Sequence, residues 1–95
     1  MFYVYIIKSV PTLGIYIGFS SNLRKRILQH NRNEVFSTKN KQPWKLAYYE
    51  AYKSEKDARE REKQLKYHGK ALGQLKRRIK RCISPYGIKN EKGEG

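Results

Sequence analysis

Tyr5 and Tyr16 lie inside the two most apolar stretches of the chain, YVYII (residues 3–7) and YIG (residues 16–18). Val, Ile or Phe would fill such positions without a hydroxyl to satisfy, although Tyr also packs well on a pleated surface. Arg26 and His30 are four residues apart, a spacing that places both on one side of a helix. Glu62 falls between Ala58 and Leu65 on a stripe that is otherwise apolar. An ionised carboxylate on a core-facing stripe needs a cation to meet it. Together these five side chains suit metal-dependent phosphodiester hydrolysis. A carboxylate holds a divalent cation, an arginine neutralises developing phosphate charge, and a phenol pair handles protons. Each also has a plainer reading. The tyrosines can be core residues whose hydroxyls reach the surface, Arg26 a surface cation, His30 a satisfied structural histidine, and Glu62 a partner of a neighbouring Lys or Arg.

The elements that must position them can be read from the same sequence. Phe2 to Ile7 and Ile15 to Phe19 are strand-like and joined by the turn-rich SVPTLG, which predicts an antiparallel hairpin. With Val10–Pro11 at the centre of the turn, Tyr5 pairs with Tyr16 and Tyr3 with Gly18, so both hydroxyls leave one face. SSNLRKRILQHN (residues 20–31) begins with N-cap residues and continues as a helix with Leu23 and Ile27 inward. Arg26 and His30 then face the sheet side, while Arg24, Lys25 and Gln29 face away. Residues 32–43 read mainly as a polar loop, and WKLAYYEAY (residues 44–52) as a third strand. Ser54 and Asp57 open a helix in a variant of the capping box. YHGK (residues 67–70) breaks it, and a last helix follows from about Ala71 to Ile83. Its apolar face is Leu72, Leu75, Ile79 and Ile83, and Lys76, Arg77, Arg78, Lys80 and Arg81 crowd the rest. The predicted fold class is α/β, a small three-stranded antiparallel sheet (near residues 2–8, 14–19 and 44–52) flanked by about three helices (near 21–31, 55–67 and 71–82). Residues 1–83 form one domain in this reading, and residues 84–95 a flexible tail.

Charge narrows the partner. The chain carries 22 Lys and Arg against 8 Asp and Glu, a net charge of +14 over 95 residues. Such an imbalance costs self-repulsion that a polyanion relieves, and nucleic acid is the leading candidate. Arg24, Lys76, Arg77, Arg78 and Arg81 are the expected nucleic-acid contacts. No apolar run is long enough to cross a bilayer. A single cysteine, Cys82, leaves no internal disulfide, and the first residues lack a basic leader, so a cytoplasmic location is expected.

The order of these features resembles that of the GIY-YIG nuclease superfamily, in its small stand-alone branch. Tyr16-Ile17-Gly18 matches the second family motif. Tyr3-Val4-Tyr5 matches the first, with its leading glycine replaced. YIGFSSNLRKRILQHN is similar to the family's strand–turn–helix, which places the catalytic arginine at Arg26 and His30 where the family has His or Tyr. SEKDAREREKQLK places the metal-binding glutamate at Glu62. The resemblance runs from Phe2 to about Ile83. It implies an endonuclease acting on structured or damaged DNA with Mg²⁺ or Mn²⁺ held by Glu62. In the mechanism it implies, Tyr5 serves as the base, helped by Tyr16 or His30 and by nearby cations, and Arg26 stabilises the transition state. The asparagine that many family nucleases carry after the glutamate helix has no placed counterpart. Gln74 lies in about that region, which leaves open whether the site works alone or with a helper protein.

A second reading keeps the fold without the chemistry, as a non-catalytic nucleic-acid-binding module. The two share the basic surface, and an inward Glu62 without a partner is what separates them. RNA remains open as a substrate, weak sequence preference is expected, and the chain is expected to be a monomer or a weak oligomer.

Overall fold

The computed structural model describes residues 1–83, so the expected tail at 84–95 lies outside the described residues. Three strands, β1 (Phe2–Ser9), β2 (Ile15–Ser20) and β3 (Trp44–Tyr52), form an antiparallel sheet in the order β2-β1-β3. Among these residues there are four α-helices: α1 (Leu23–Asn31), α2 (Glu55–Tyr67), α3 (Gly69–Arg78) and α4 (Lys80–Ile83). The α/β class and the three-stranded sheet expected from sequence are those observed.

β1 is central, which accounts for its unbroken apolar run: every residue from Val4 to Ser9 is buried. Alternate side chains serve two different layers. Val4 and Ile6 join Ile17, Ala58, Leu65 and Leu75 in a core under α2 and α3. Tyr5 and Ile7 join Trp44, Tyr16, Leu23 and Ile27 in a second core under α1. The tyrosines of the first two strands therefore belong to the α1 layer.

The hairpin register departs from the expected one by two residues. Tyr5 pairs with Gly18, Tyr3 with Ser20, and Ile7 with Tyr16. The turn is wider than supposed and centred beyond Val10–Pro11. The Ser9 amide donates to Gly14 O (2.8 Å) and the Leu13 amide to Ser9 O (2.8 Å), with Leu13 in the left-handed region at φ 64. A shift of two preserves the face, because side chains alternate with period two. Tyr5 and Tyr16 thus still share a face, as diagonal neighbours rather than as a directly opposed pair.

Helix ends follow local chemistry. Asn22 Oδ1 accepts from the Lys25 amide (3.1 Å) and starts α1 two residues later than the sequence suggests. Ser54 Oγ accepts from the Asp57 amide (3.2 Å) at the start of α2. His68, extended at φ −121 and ψ 91, ends α2 and begins α3, so the break is one residue rather than the whole of YHGK. The expected last helix is in fact two, because Ile79 (φ −115, ψ 27) leaves helical geometry between α3 and α4.

The segment at 32–43 is less open than its polarity suggests. Val35 and Thr38 are buried, the latter in a short 3₁₀ turn at Phe36–Thr38. Asn31 anchors its far end: Nδ2 donates to Trp44 O (3.0 Å) and Oδ1 accepts from the Trp44 amide (2.6 Å). On the other face of the sheet, α2 is clamped to β3 through Glu50. Its carboxylate accepts from Arg61 Nε (3.0 Å) and Nη2 (3.1 Å), and from the hydroxyls of Tyr48 and Tyr52.

Candidate active site

β1, β2, α1 and the 3₁₀ turn together close around one histidine. His30 has no exposed surface. Its Nε2 lies 2.7 Å from Tyr5 Oη and its Nδ1 2.7 Å from Thr38 Oγ1. The Thr38 hydroxyl has one proton and faces Val35 O at 3.4 Å. Assigned from this network, His30 Nδ1–H donates to Thr38 Oγ1, leaving Nε2 to accept the Tyr5 hydroxyl. Trp44 Nε1 donates to Thr38 O (3.2 Å), which ties the turn to β3. Burial, with Arg26 adding to it, pushes the His30 pKa down to about 4. The ring is therefore neutral at ordinary pH, with the Nε2 lone pair turned to Tyr5.

Tyr5 is also fully buried. Burial pushes its pKa up to about 12, and the neighbouring Arg26 guanidinium offsets this only in part. Arg26 thus helps Tyr5 ionise, as expected of a nearby cation, but desolvation outweighs it. The partner of the Tyr5 hydroxyl is the His30 ring, at 2.7 Å. Tyr16 is half-buried and meets the His30 ring edge-on, with centroids 5.2 Å apart, at the rim of the same cluster.

Gly18 shows why the YIG stretch ends as it does. It sits directly opposite Tyr5, and a β-carbon there would overlap Cζ and Oη of the Tyr5 ring. The missing side chain is the space that the phenol occupies.

Arg26 projects from α1 into this region. Its Nη1 donates to Gln29 Oε1 (3.1 Å), so Gln29 does not face away as its helical phase suggested. Arg26 Nε is buried and meets no hydrogen-bond partner among the described residues. Beside it opens a polar basin lined by Ser20, Ser21, Asn22, Lys25, Arg26 and Gln29.

Glu62 departs from expectation most. Ala58 and Leu65 are buried, but the middle of that stripe is shared by two flanks. Arg61 turns toward Glu50 on β3, and Glu62 turns the other way, toward β2. It is largely buried, with 20% of its side chain exposed, but it is not unpartnered: its carboxylate pairs with Lys66 Nζ at 3.0 Å, and Lys66 keeps 31% of its side chain exposed. Lys66 in turn lies 5.5 Å over the Tyr16 ring. Glu62 is near enough to Tyr5 to oppose its ionisation. Since β2 is a sheet edge, α2 reaches past it from the opposite layer.

The structure therefore gathers Tyr5, Tyr16, Arg26, His30 and Glu62 around β2. Of the expected nucleic-acid contacts, Arg24 is exposed on α1, near this cluster. Lys76, Arg77, Arg78 and Arg81 are exposed on α3 and α4, in the other layer. Arg78 stands near Tyr48 of β3, away from the β2 edge. Gln74 is exposed on α3 and has no place beside Tyr5. Thr38 was missed because a lone threonine in a polar loop carries no signal. Glu50 could have been found: Tyr48 and Tyr52 are two residues to either side and so share its face.

Comparison with known proteins agrees with this arrangement. The family model described as the GIY-YIG catalytic domain matches residues 1–78. A UPF0213 protein of Clostridium perfringens is 37% identical over 67 residues, covering 70% of this chain and 71% of that protein. UPF0213 proteins of Staphylococcus saprophyticus and Staphylococcus haemolyticus are 32% and 35% identical, each over 65 residues, 67% of this chain and 78% of theirs. No solved structure matches the chain. With the family match extending over the whole sheet and through the end of α3, the chain belongs to the GIY-YIG family of nuclease domains.

Proposed function

We propose that this protein is a divalent-metal-dependent endonuclease that hydrolyses phosphodiester bonds in DNA, with structured or damaged DNA as its substrate. The observation that carries this reading is the buried, unpartnered Nε of Arg26 beside the Tyr5–His30 pair. A buried guanidinium nitrogen without an acceptor is costly, and a phosphate oxygen is the acceptor that suits it. In this mechanism Arg26 takes the scissile phosphate and stabilises the charge that builds on it. The attacking water gives its proton to Tyr5 Oη as the Tyr5 proton passes to His30 Nε2. This relay avoids a free phenolate, which a pKa near 12 makes scarce at neutral pH. Thr38 holds the tautomer that leaves Nε2 open. Tyr16 borders the cluster at its rim.

The donor set fits a hard cation such as Mg²⁺ or Mn²⁺. Glu62 is a half-buried carboxylate with one displaceable partner, and such ions keep most of their shell as water and substrate oxygens. Among the described residues no three His, Cys, Asp or Glu side chains converge, so Glu62 is the proposed protein ligand. When bound, the ion supplies charge stabilisation at the leaving oxygen. The proposed catalytic unit is residues 1–83. Among the described residues no helix is long and apolar enough to cross a membrane, and we assign the protein to the cytoplasm.

Glu62→Gln tests the proposal. The Lys66 pair is partly exposed and joins residues four apart on one helix, a type of pair that contributes about 0.3–0.5 kcal/mol. The variant should therefore melt close to the parent and bind DNA at least as well, yet lose Mg²⁺-dependent cleavage. A variant that melts far lower while cutting normally per folded molecule would make Glu62 structural. The Lys66 contact also favours the alternative of a non-catalytic binding module, since a carboxylate with its own partner needs no metal. Absence of EDTA-sensitive cleavage on nicked, branched and duplex DNA would decide for that alternative.

A further inference from the structure

α1 covers only part of its face of the sheet. Leu23 and Ile27 pack over Tyr5, Ile7 and Trp44. Beyond them an open groove of about 520 Å³ runs along the sheet, lined by Tyr3, Leu23, Arg24, Ile27, Leu46 and Tyr49, with Ser21 and Asn22 at one end. Its apolar members are poorly covered for their size: Tyr49 is 51% exposed and Leu46 41%. Tyr3 and Tyr49 meet edge-on with centroids 6.0 Å apart, leaving ring surface open to the groove. No Asp or Glu lines it, and Arg24 contributes the only full charge among the lining residues.

Ser21 and Asn22 line two cavities at once. One side of this turn is the aromatic groove, and the other is the polar basin that holds Lys25 and Arg26. A nucleotide has the same division, an anionic phosphate attached to a flat apolar base. We propose that the groove is a nucleobase subsite, which takes one unpaired base next to the phosphate bound at Arg26. The substrate class is then nucleic acid with an unstacked nucleotide beside the scissile bond. This rests on the nuclease reading and adds to it the local structure of the substrate. Continuity through the shared turn, and a lining whose one charge is cationic, favour a nucleotide over an apolar peptide. A base engaged in a duplex cannot present its face to Tyr49, so pairing at that position excludes it from the subsite.

The test is binding of oligonucleotides that carry 2-aminopurine at a single position, measured with the full chain in EDTA so that cleavage plays no part. An unpaired 2-aminopurine should change its fluorescence on binding, and the same base within a blunt duplex should not. Tyr49→Ala should weaken binding to the unpaired probe about 10-fold, within the range for loss of one base–aromatic stack. Tyr49→Phe should restore it, and Tyr49→Leu, which keeps apolar area without a ring, should not. Blunt-duplex affinity should be unchanged in all three variants. Tyr49 is exposed, and thermal melts confirm that each variant is folded. Equal affinity of parent and Tyr49→Ala for the unpaired probe overturns the proposal, as does equal weakening for both probes. Concentration-dependent self-association lost in Tyr49→Ala would assign the groove to a second copy, and overturn it too. The two readings fail separately. Cleavage in Mg²⁺ that is indifferent to an abasic residue at the flanking position sinks the subsite alone, whereas selective binding without cleavage on any substrate sinks the nuclease reading.

Discussion

At the scale of single residues, two features of the site follow from space and desolvation. Gly18 leaves the room that the Tyr5 ring fills. Gly18→Ala should push the phenol off its strand or strain the hairpin, at about 1–3 kcal/mol as for other overpacked cores. It should also lose the 2.7 Å bond to His30 and with it most cleavage. Urea denaturation beside a nuclease assay reads both, and a variant as stable and active as the parent would show that Tyr5 has another place to go. His30 supplies the second prediction. Its pKa in the folded chain is about 4, below the ordinary 6.5. The unfolded chain therefore binds the proton first as pH falls. The stabilisation is fully present above pH 6.5 and is lost on descending toward 4. At about 1.4 kcal/mol per pH unit it amounts to at most about 3 kcal/mol. Stability curves of the parent and His30→Asn should converge over that window, and parallel curves would show that His30 is not buried neutral. The acid limb of cleavage should fall near pH 4 to 5 rather than 6.5.

Glu50 illustrates what an element needs beyond its own periodicity. α2 has a narrow apolar seam, Ala58 and Leu65, too little to fix its rotation against the sheet. The Glu50–Arg61 pair and the Tyr48 and Tyr52 hydroxyls supply that restraint. Burial alone would raise the Glu50 pKa, but these donors hold it below the usual carboxylate value. The rotation matters because Arg61 and Glu62 are adjacent on the helix: fixing one toward β3 fixes the other toward β2. Glu50→Gln should cost about 1–3 kcal/mol. That is less than for a fully buried pair, because Arg61 keeps 26% of its side-chain surface in water. Cleavage per folded molecule should drop as well, through loss of the Glu62 position. A destabilised variant with unchanged cleavage would show that α2 is oriented by its apolar seam alone.

At the scale of the whole molecule, the chain carries +14 of net charge, and the basic helix residues named above lie in two layers. Arg24, Lys25 and Arg26 border the site, whereas Lys76, Arg77, Arg78 and Arg81 lie on α3 and α4 across the sheet. If nucleic acid uses both, affinity should fall steeply with salt, each neutralised phosphate adding about 0.9 to the log–log slope. Replacing Arg77, Arg78 and Arg81 together with Gln should reduce that slope by up to about three such steps. Cleavage of bound substrate should persist, because none of the three approaches the β2 cluster. A slope unchanged by the triple substitution would confine the binding face to the α1 layer.

The sequence by itself determined the strands, the helix α2 to the residue, and the identity of the five clustered side chains. Strand period, capping chemistry and family motif order are local and survive translation into three dimensions. It also determined that Tyr5 and Tyr16 share a face, since a register error of two cannot change that. Tertiary structure decided what no local pattern encodes. The hairpin centre depended on how Leu13 and Gly14 close the turn. Thr38 became the partner of His30 through a loop whose composition reads as solvent-exposed. Glu62 turned toward Lys66 and the β2 side because Arg61 took the competing direction, toward Glu50. Tyr5 emerged with a pKa raised to about 12 rather than lowered, because desolvation depends on the whole surrounding shell, and a sequence lists the cations without saying how much water is excluded around them.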